Sequence, residues 1–125
     1  MFTVQLLRVR TFLVMGILLL AGCSQSARDL SLDQEQAREA LQTFLKTWQE
    51  GGTSKSLEPG LIGVDEDWNA GKKLVSFEVL PDETNDGTNL HIPVKLMLSD
   101  ASGEESQSEP TYCVGTSPRV TVFRD

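Results

Sequence analysis

The chain has 125 residues, 39% of them hydrophobic, and its 11 Lys and Arg stand against 18 Asp and Glu, a formal net charge of −7. So acidic a surface argues against binding nucleic acid, whose phosphates need a basic footprint, and against electrostatic adhesion to anionic lipid. With two cysteines and one histidine, the chain has no Cys-x-x-Cys and no His pair, and it also lacks a phosphate-cradling glycine loop and a Gly-x-Ser-x-Gly elbow. Redox, nucleotide and nucleophilic chemistries therefore have no sequence support.

The N-terminal stretch carries the strongest signal. Arg8 and Arg10 lead into the apolar run Thr11 to Leu20, which ends in Leu20-Ala21-Gly22-Cys23. A spanning helix needs about 20 mostly apolar residues. Only 17 uncharged residues separate Arg10 from Arg28, and the last of them read Cys-Ser-Gln-Ser-Ala. A basic start, a short apolar core and small residues before a cysteine resemble a bacterial lipoprotein signal. The resemblance implies that residues 1–22 are a signal peptide and that Cys23 is the lipid attachment site. It places the domain on the extracytoplasmic side of a bacterial cell membrane or outer membrane. The two or three acyl chains of such proteins anchor stably, each buried CH2 being worth about 0.8 kcal/mol. Ser24, in place of an acidic residue, leans toward outer-membrane sorting. Without residues 1–22 the chain keeps 9 basic and 18 acidic side chains, so the lipid, not charge, must do the attaching. If Cys23 is acylated, Cys113 has no intramolecular disulfide partner.

Residues 23–30 read as the lipidated cysteine and a small, polar tether. Six extended residues reach at most about 20 Å, which keeps the domain near the bilayer. From Leu32 to Gln49, Ala37, Ala40, Leu41, Phe44, Leu45 and Trp48 recur with helical spacing and form one buried stripe. Ser31 with Gln34 predicts a capping box, Asp33 and Glu35 favour the first turn, and Gly51-Gly52 predicts the stop. Thr53 to Lys72, with Pro59 and Asp65-Glu66-Asp67, reads as a loop with one short helical turn near Ser54 to Glu58. Four strands follow, at Lys73–Leu80, Asn89–Ser99, Gln107–Gly115 and Arg119–Arg124. In the second, Leu90, Ile92, Val94, Leu96 and Leu98 share a face, and Pro93 marks a bulge or an edge.

These elements predict a single α+β domain over residues 31–125, with one N-terminal amphipathic helix packed on a four-stranded antiparallel meander. Val75, Phe77, Val79, the Leu90 to Leu98 row, Tyr112, Val114, Val120 and Val122 are the expected inner face. That plan resembles the cystatin-like roll and, more loosely, the nuclear-transport-factor-like α+β rolls. The chain is also similar to small envelope lipoproteins with a Trp-x-x-Gly loop (Trp68, Gly71) and a closing Tyr-x-Val-Gly-Thr-x-Pro hairpin (Tyr112 to Pro118), a resemblance that implies no known activity.

Rolls of this kind host isomerases and hydratases, yet the expected inward row is aliphatic, with Tyr112 its only polar-ended member. His91 falls out of phase with that row and reads as a surface residue. Asp65-Glu-Asp67-Trp-Asn69-Ala-Gly71 imitates the start of a calcium loop, but its glycine is one residue late and Ser76 replaces the bidentate Glu. Asp82 to Gly87 fails similarly, so both read as solvated acidic loops, and Cys113 as a buried inert thiol. No catalytic residue, metal site or cofactor is expected. The second sheet face carries Leu74, Leu80, Met97, Cys113 and Phe123, of which Leu74, Met97 and Phe123 are the candidate partner face. The expectation is a non-catalytic binding or accessory module, held at the membrane and meeting an envelope protein partner. The alternative is a small-molecule-binding or catalytic roll with its ligand between helix and sheet.

Overall fold

The computed structural model describes residues 32–125; the expected signal peptide, the expected lipid site Cys23 and the expected tether lie outside the described residues. Helix α1 spans Gln34–Gln49 and buries Ala37, Ala40, Leu41, Phe44, Leu45 and Trp48, the stripe that the spacing predicts. Its N-cap is Asp33, whose side chain accepts the Gln36 amide at 3.0 Å, rather than the Ser31 that the capping-box spacing indicates. At the other end Gly51 adopts φ 88°, and the Gly52 amide turns back to the Thr47 carbonyl at 3.0 Å. Glycine takes that left-handed conformation without steric cost. The Asp33 amide also reaches the buried Thr116 hydroxyl at 2.9 Å, tying the start of the helix to the residue that follows β6.

After a 3-10 turn at Ser54–Ser56 come β1 (Leu61–Val64), α2 (Glu66–Asn69), β2 (Lys73–Val79), β3 (Thr84–Asn85), β4 (Asn89–Ser99), β5 (Glu105–Ser108), β6 (Thr111–Gly115) and β7 (Val120–Arg124). The strand order is β1-β7-β6-β4-β2, with β3 and β5 also paired to β4. The eleven-residue β4 is the spine, and its burial alternates along its whole length. Leu90, Ile92, Val94, Leu96 and Leu98 lie at 0–2% exposure facing the core.

The four-stranded antiparallel meander is therefore corrected: one long helix packs on a curled mixed sheet of seven strands, and the cystatin-like plan falls with it. Three physical causes account for the difference. The first is β1, expected to be loop, which runs parallel to β7 with Val64 opposite Phe123. Four residues between Gly60 and Asp65 are too few to show a period, and a parallel partner is distant in sequence by necessity. Gly63 makes this strand fit, because a Cβ there would overlap the Phe44 ring. The second cause is Pro110, which interrupts the predicted Gln107–Gly115 strand. β5 and β6 remain in step along one flank of β4, Ser108 opposite Leu96 and Thr111 opposite Pro93, with Pro110 between them. Pro93 itself sits where both flanks of β4 change partner, from β6 to β5 on one side and from β3 to β2 on the other.

The third cause is a bulge in β2, where the register shifts between Leu74 and Ser76. One extra residue reverses the faces on either side of it. Leu74, expected outward, is 3% exposed in the core; Val75, expected inward, is 43% exposed. In the core's centre the Phe44 ring meets Tyr112 edge-on at 5.9 Å and Trp68 at 5.1 Å. Trp48 stacks on Trp68 at 5.6 Å.

Candidate functional site

Polar chemistry gathers at two places, one on each face of the sheet. On the inner face, Asp65 follows β1 directly and has no solvent exposure. Its side chain caps α2, accepting the Asp67 and Trp68 amides at 2.8 and 3.2 Å. It also accepts the Tyr112 hydroxyl and the Arg124 guanidinium, whose Nε and Nη2 lie 3.1 and 2.9 Å from Oδ2. Nη2 continues to Asp67 at 3.0 Å, and Lys72 pairs with Asp67 at 3.4 Å.

Alternation explains the convergence: Tyr112 and Arg124 are register partners on β6 and β7, both facing inward. Burial, then the Asp65 carboxylate, pushes the Tyr112 phenol far above its ordinary range, so it is a neutral donor. Burial, the largest single effect, lowers the Arg124 guanidinium, but Asp65 and Tyr112 together outweigh it and the net shift is upward. Both charges are mutually compensated, which a buried ion requires. The solvated-loop expectation is thus corrected for Asp65, though Glu66 is exposed. A closed network of this kind offers no unpaired acid or base to a substrate.

The outer face is built differently. Register places Thr84, His91, Cys113, Phe123 and Val64 in one transverse row across β3, β4, β6, β7 and β1, all pointing away from α1. Phe123 and Val64 are 40% and 46% exposed, and Ile62, two residues from Val64 on the same face, is 38% exposed. At the polar end His91 lies between two carboxylates, Nδ1 at 2.9 Å from Asp125 and Nε2 at 2.8 Å from Asp86. Asp86 is fixed in turn by the Thr88 and Asn89 amides at 2.9 and 2.7 Å. Hydrogen bonding from His91, then from these amides, holds Asp86 down at about 2. The Asp86 and Asp125 hydrogen bonds raise His91. Cys113 is half-buried rather than buried, and desolvation, then the Asp125 and Asp86 charges, raises its thiol. Ligand atoms of His91, Cys113 and Asp125 all lie within 4.8 Å of one another.

Of the expected partner face, Phe123 is exposed on this row, Met97 is half-buried on β4 opposite Gln107, and Leu74 belongs to the core. His91 does point outward, as its phase predicts; the two carboxylates that flank it come from a turn and a strand end, and pairwise spacing gives no sign of either. The space expected between helix and sheet is filled, since Leu90, Ile92, Val94 and Tyr112 are 0–1% exposed. Two clefts open at the rim of that interface. One of about 380 Å³ lies between α1 and Pro59–Leu61; another of about 580 Å³ lies beside Trp68, Gly52 and Leu74. Both indole N–H groups at the latter are spent on the Lys72 and Gly52 carbonyls, at 2.9 and 3.0 Å. No helix among the described residues is long and apolar enough to cross a membrane.

Compared with known proteins, the chain matches no protein-family model, and neither a curated protein nor a solved structure is significantly similar to it.

Proposed function

We propose that this protein is a non-catalytic binding module of the bacterial envelope, lipid-anchored through Cys23, which docks an envelope protein on its outer sheet face. The observation that carries the reading is the row of Ile62, Val64 and Phe123, three large apolar side chains 38–46% exposed on one face of adjacent strands. Large apolar groups gathered on a strand pair favour a partner over water. With 18 acidic side chains on the chain, the partner surface is apolar and rimmed by basic groups. The inner face supports the non-catalytic part: its acid, phenol and guanidinium are consumed by one another.

The test places a photo-crosslinking residue at position 64 or 123 of the full chain in its native envelope, with Lys46 on the exposed side of α1 as control. One protein adduct from positions 64 and 123 and none from 46 supports the reading. Adducts that do not distinguish the positions overturn it. Cys23→Ser should release the chain from the membrane fraction; retention would remove the lipid anchor. A small-ligand reading draws on the cleft beside Trp68 and stands second, because its indole donors are already engaged. A rise in melting temperature with an apolar ligand, lost on Trp68→Leu, would promote it.

A further inference from the structure

We infer that His91, Cys113 and Asp125 form a binding site for a borderline divalent transition ion of the zinc class, on the outer face at the polar end of the Phe123 row. Register brings the ligands together. His91 and Cys113 are direct partners on β4 and β6, and side chains of such pairs stand about 4.5–5.5 Å apart at Cβ. Asp125 follows β7, its amide bonded to the Thr111 carbonyl at 2.8 Å, which fixes its side chain on the same face as Cys113. Three neighbouring strands thus present one nitrogen, one sulfur and one oxygen within 4.8 Å of one another. Around a tetrahedral zinc ion such atoms lie about 3.4–3.6 Å apart, so side-chain rotations of about 1 Å complete the site.

The donor set selects the ion. A thiol with an imidazole disfavours calcium and magnesium, which take oxygen, and suits zinc and its neighbours. Thiolate and carboxylate together balance a divalent charge.

Asp86 supplies the second observation. It holds His91 Nε2 at 2.8 Å while its other oxygen is pinned by the Thr88 and Asn89 amides. A histidine ligand that gives its remote N–H to a fixed carboxylate is the usual orienting device of metal sites. Here it leaves Nδ1 aimed at the position shared with Asp125 and Cys113. Asp86 is a positioning residue and does not itself touch the ion. Three protein ligands on a part-exposed face leave the fourth position to water or to a group from a partner.

The experiment uses the full chain in detergent, metal-stripped and with thiols reduced, titrated with Co2+ and then displaced by Zn2+. One equivalent should give a thiolate-to-cobalt charge-transfer band with tetrahedral visible bands. Cys23→Ser should keep that band and Cys113→Ser should lose it. Asp86→Asn should keep the spectrum while weakening affinity about 10–100-fold. In the unaltered chain, Zn2+ should protect Cys113 from alkylation, a readout that needs no variant. A spectrum without a thiolate band at saturation, a band that survives Cys113→Ser, or alkylation of Cys113 unaffected by Zn2+ would each overturn the site.

Discussion

On the inner face, Asp65 is fully buried and its oxygens are shared among two backbone amides, Tyr112 and Arg124. On the outer face, Asp86 and Asp125 flank a histidine whose side chain is 25% exposed, with a half-buried thiol beside it. The two clusters share β6 and the end of β7, with Tyr112 and Arg124 on one face and Cys113 and Asp125 on the other. Burial separates their roles. Inside, every partner is committed because an unpaired charge would cost several kcal/mol, about what one buried ion loses on leaving water. Outside, water can replace any partner cheaply, so the groups can be recruited by an ion or another protein. A polar cluster's availability follows from which face of a strand carries it.

The sharpest way to break this comparison is to remove the inner acid. Asp65→Ala should destabilise the fold by about 2–4 kcal/mol, read by urea unfolding, because it leaves the Tyr112 hydroxyl without an acceptor in the core, uncaps α2 and leaves Arg124 with Asp67 alone. Adding Arg124→Met and Tyr112→Phe to an Asp65→Leu background should recover most of that loss. A single-variant cost below about 1 kcal/mol would mean that water reaches the network.

Next in size is the packing that brings β1 over the helix. Gly63→Ala should cost about 1–3 kcal/mol through overlap with Phe44, and Phe44→Leu in the same chain should relieve it. Additive losses would show that the two do not meet. The outer row predicts the reverse pattern: Phe123→Ser with Ile62→Thr should leave stability within about 0.5 kcal/mol, yet abolish the crosslinked adduct. Loss of stability there would make the row structural.

The smallest effect lies in the ion pair that ties α1 to the loop before β3. Arg38 donates to Glu83, with Nε at 3.1 Å, and also faces Glu35 and Gln34. The hydrogen bond from Arg38, against a smaller desolvation effect, holds Glu83 below its ordinary value near 4.5. A carboxylate lowered in the folded state stabilises above its unfolded pKa and loses that contribution as pH falls through the folded value. Arg38→Met should therefore flatten the stability curve slightly below about pH 5 and leave its slope near neutrality unchanged.

How much of this was legible beforehand depended on local pattern. The α1 stripe and the β4 alternation were readable because each element carries its own period over many residues. Asp65 had two signals that pointed inward without being joined. Tyr112 was the one inward group with a polar end and needed a partner, and Arg124 shares the phase of Val120 and Val122. The outer row was half visible, since His91, Cys113 and Phe123 each fall out of phase with the core. Their order across the sheet depended on register, and the Asp86 contact depended on a turn. Leu74 was misplaced because a bulge inserts one residue without altering composition.

The sequence by itself determined the elements whose hydrophobic period is long: the helix, the central strand and the face each one buries. Tertiary structure alone decided the parallel partnership of β1 with β7, the inward turn of Asp65, and the meeting of His91, Cys113 and Asp125. The physical reason is range. Periodicity records whether a residue faces core or water, whereas pairing between distant strands is settled by which edges must be covered and which buried groups must find partners.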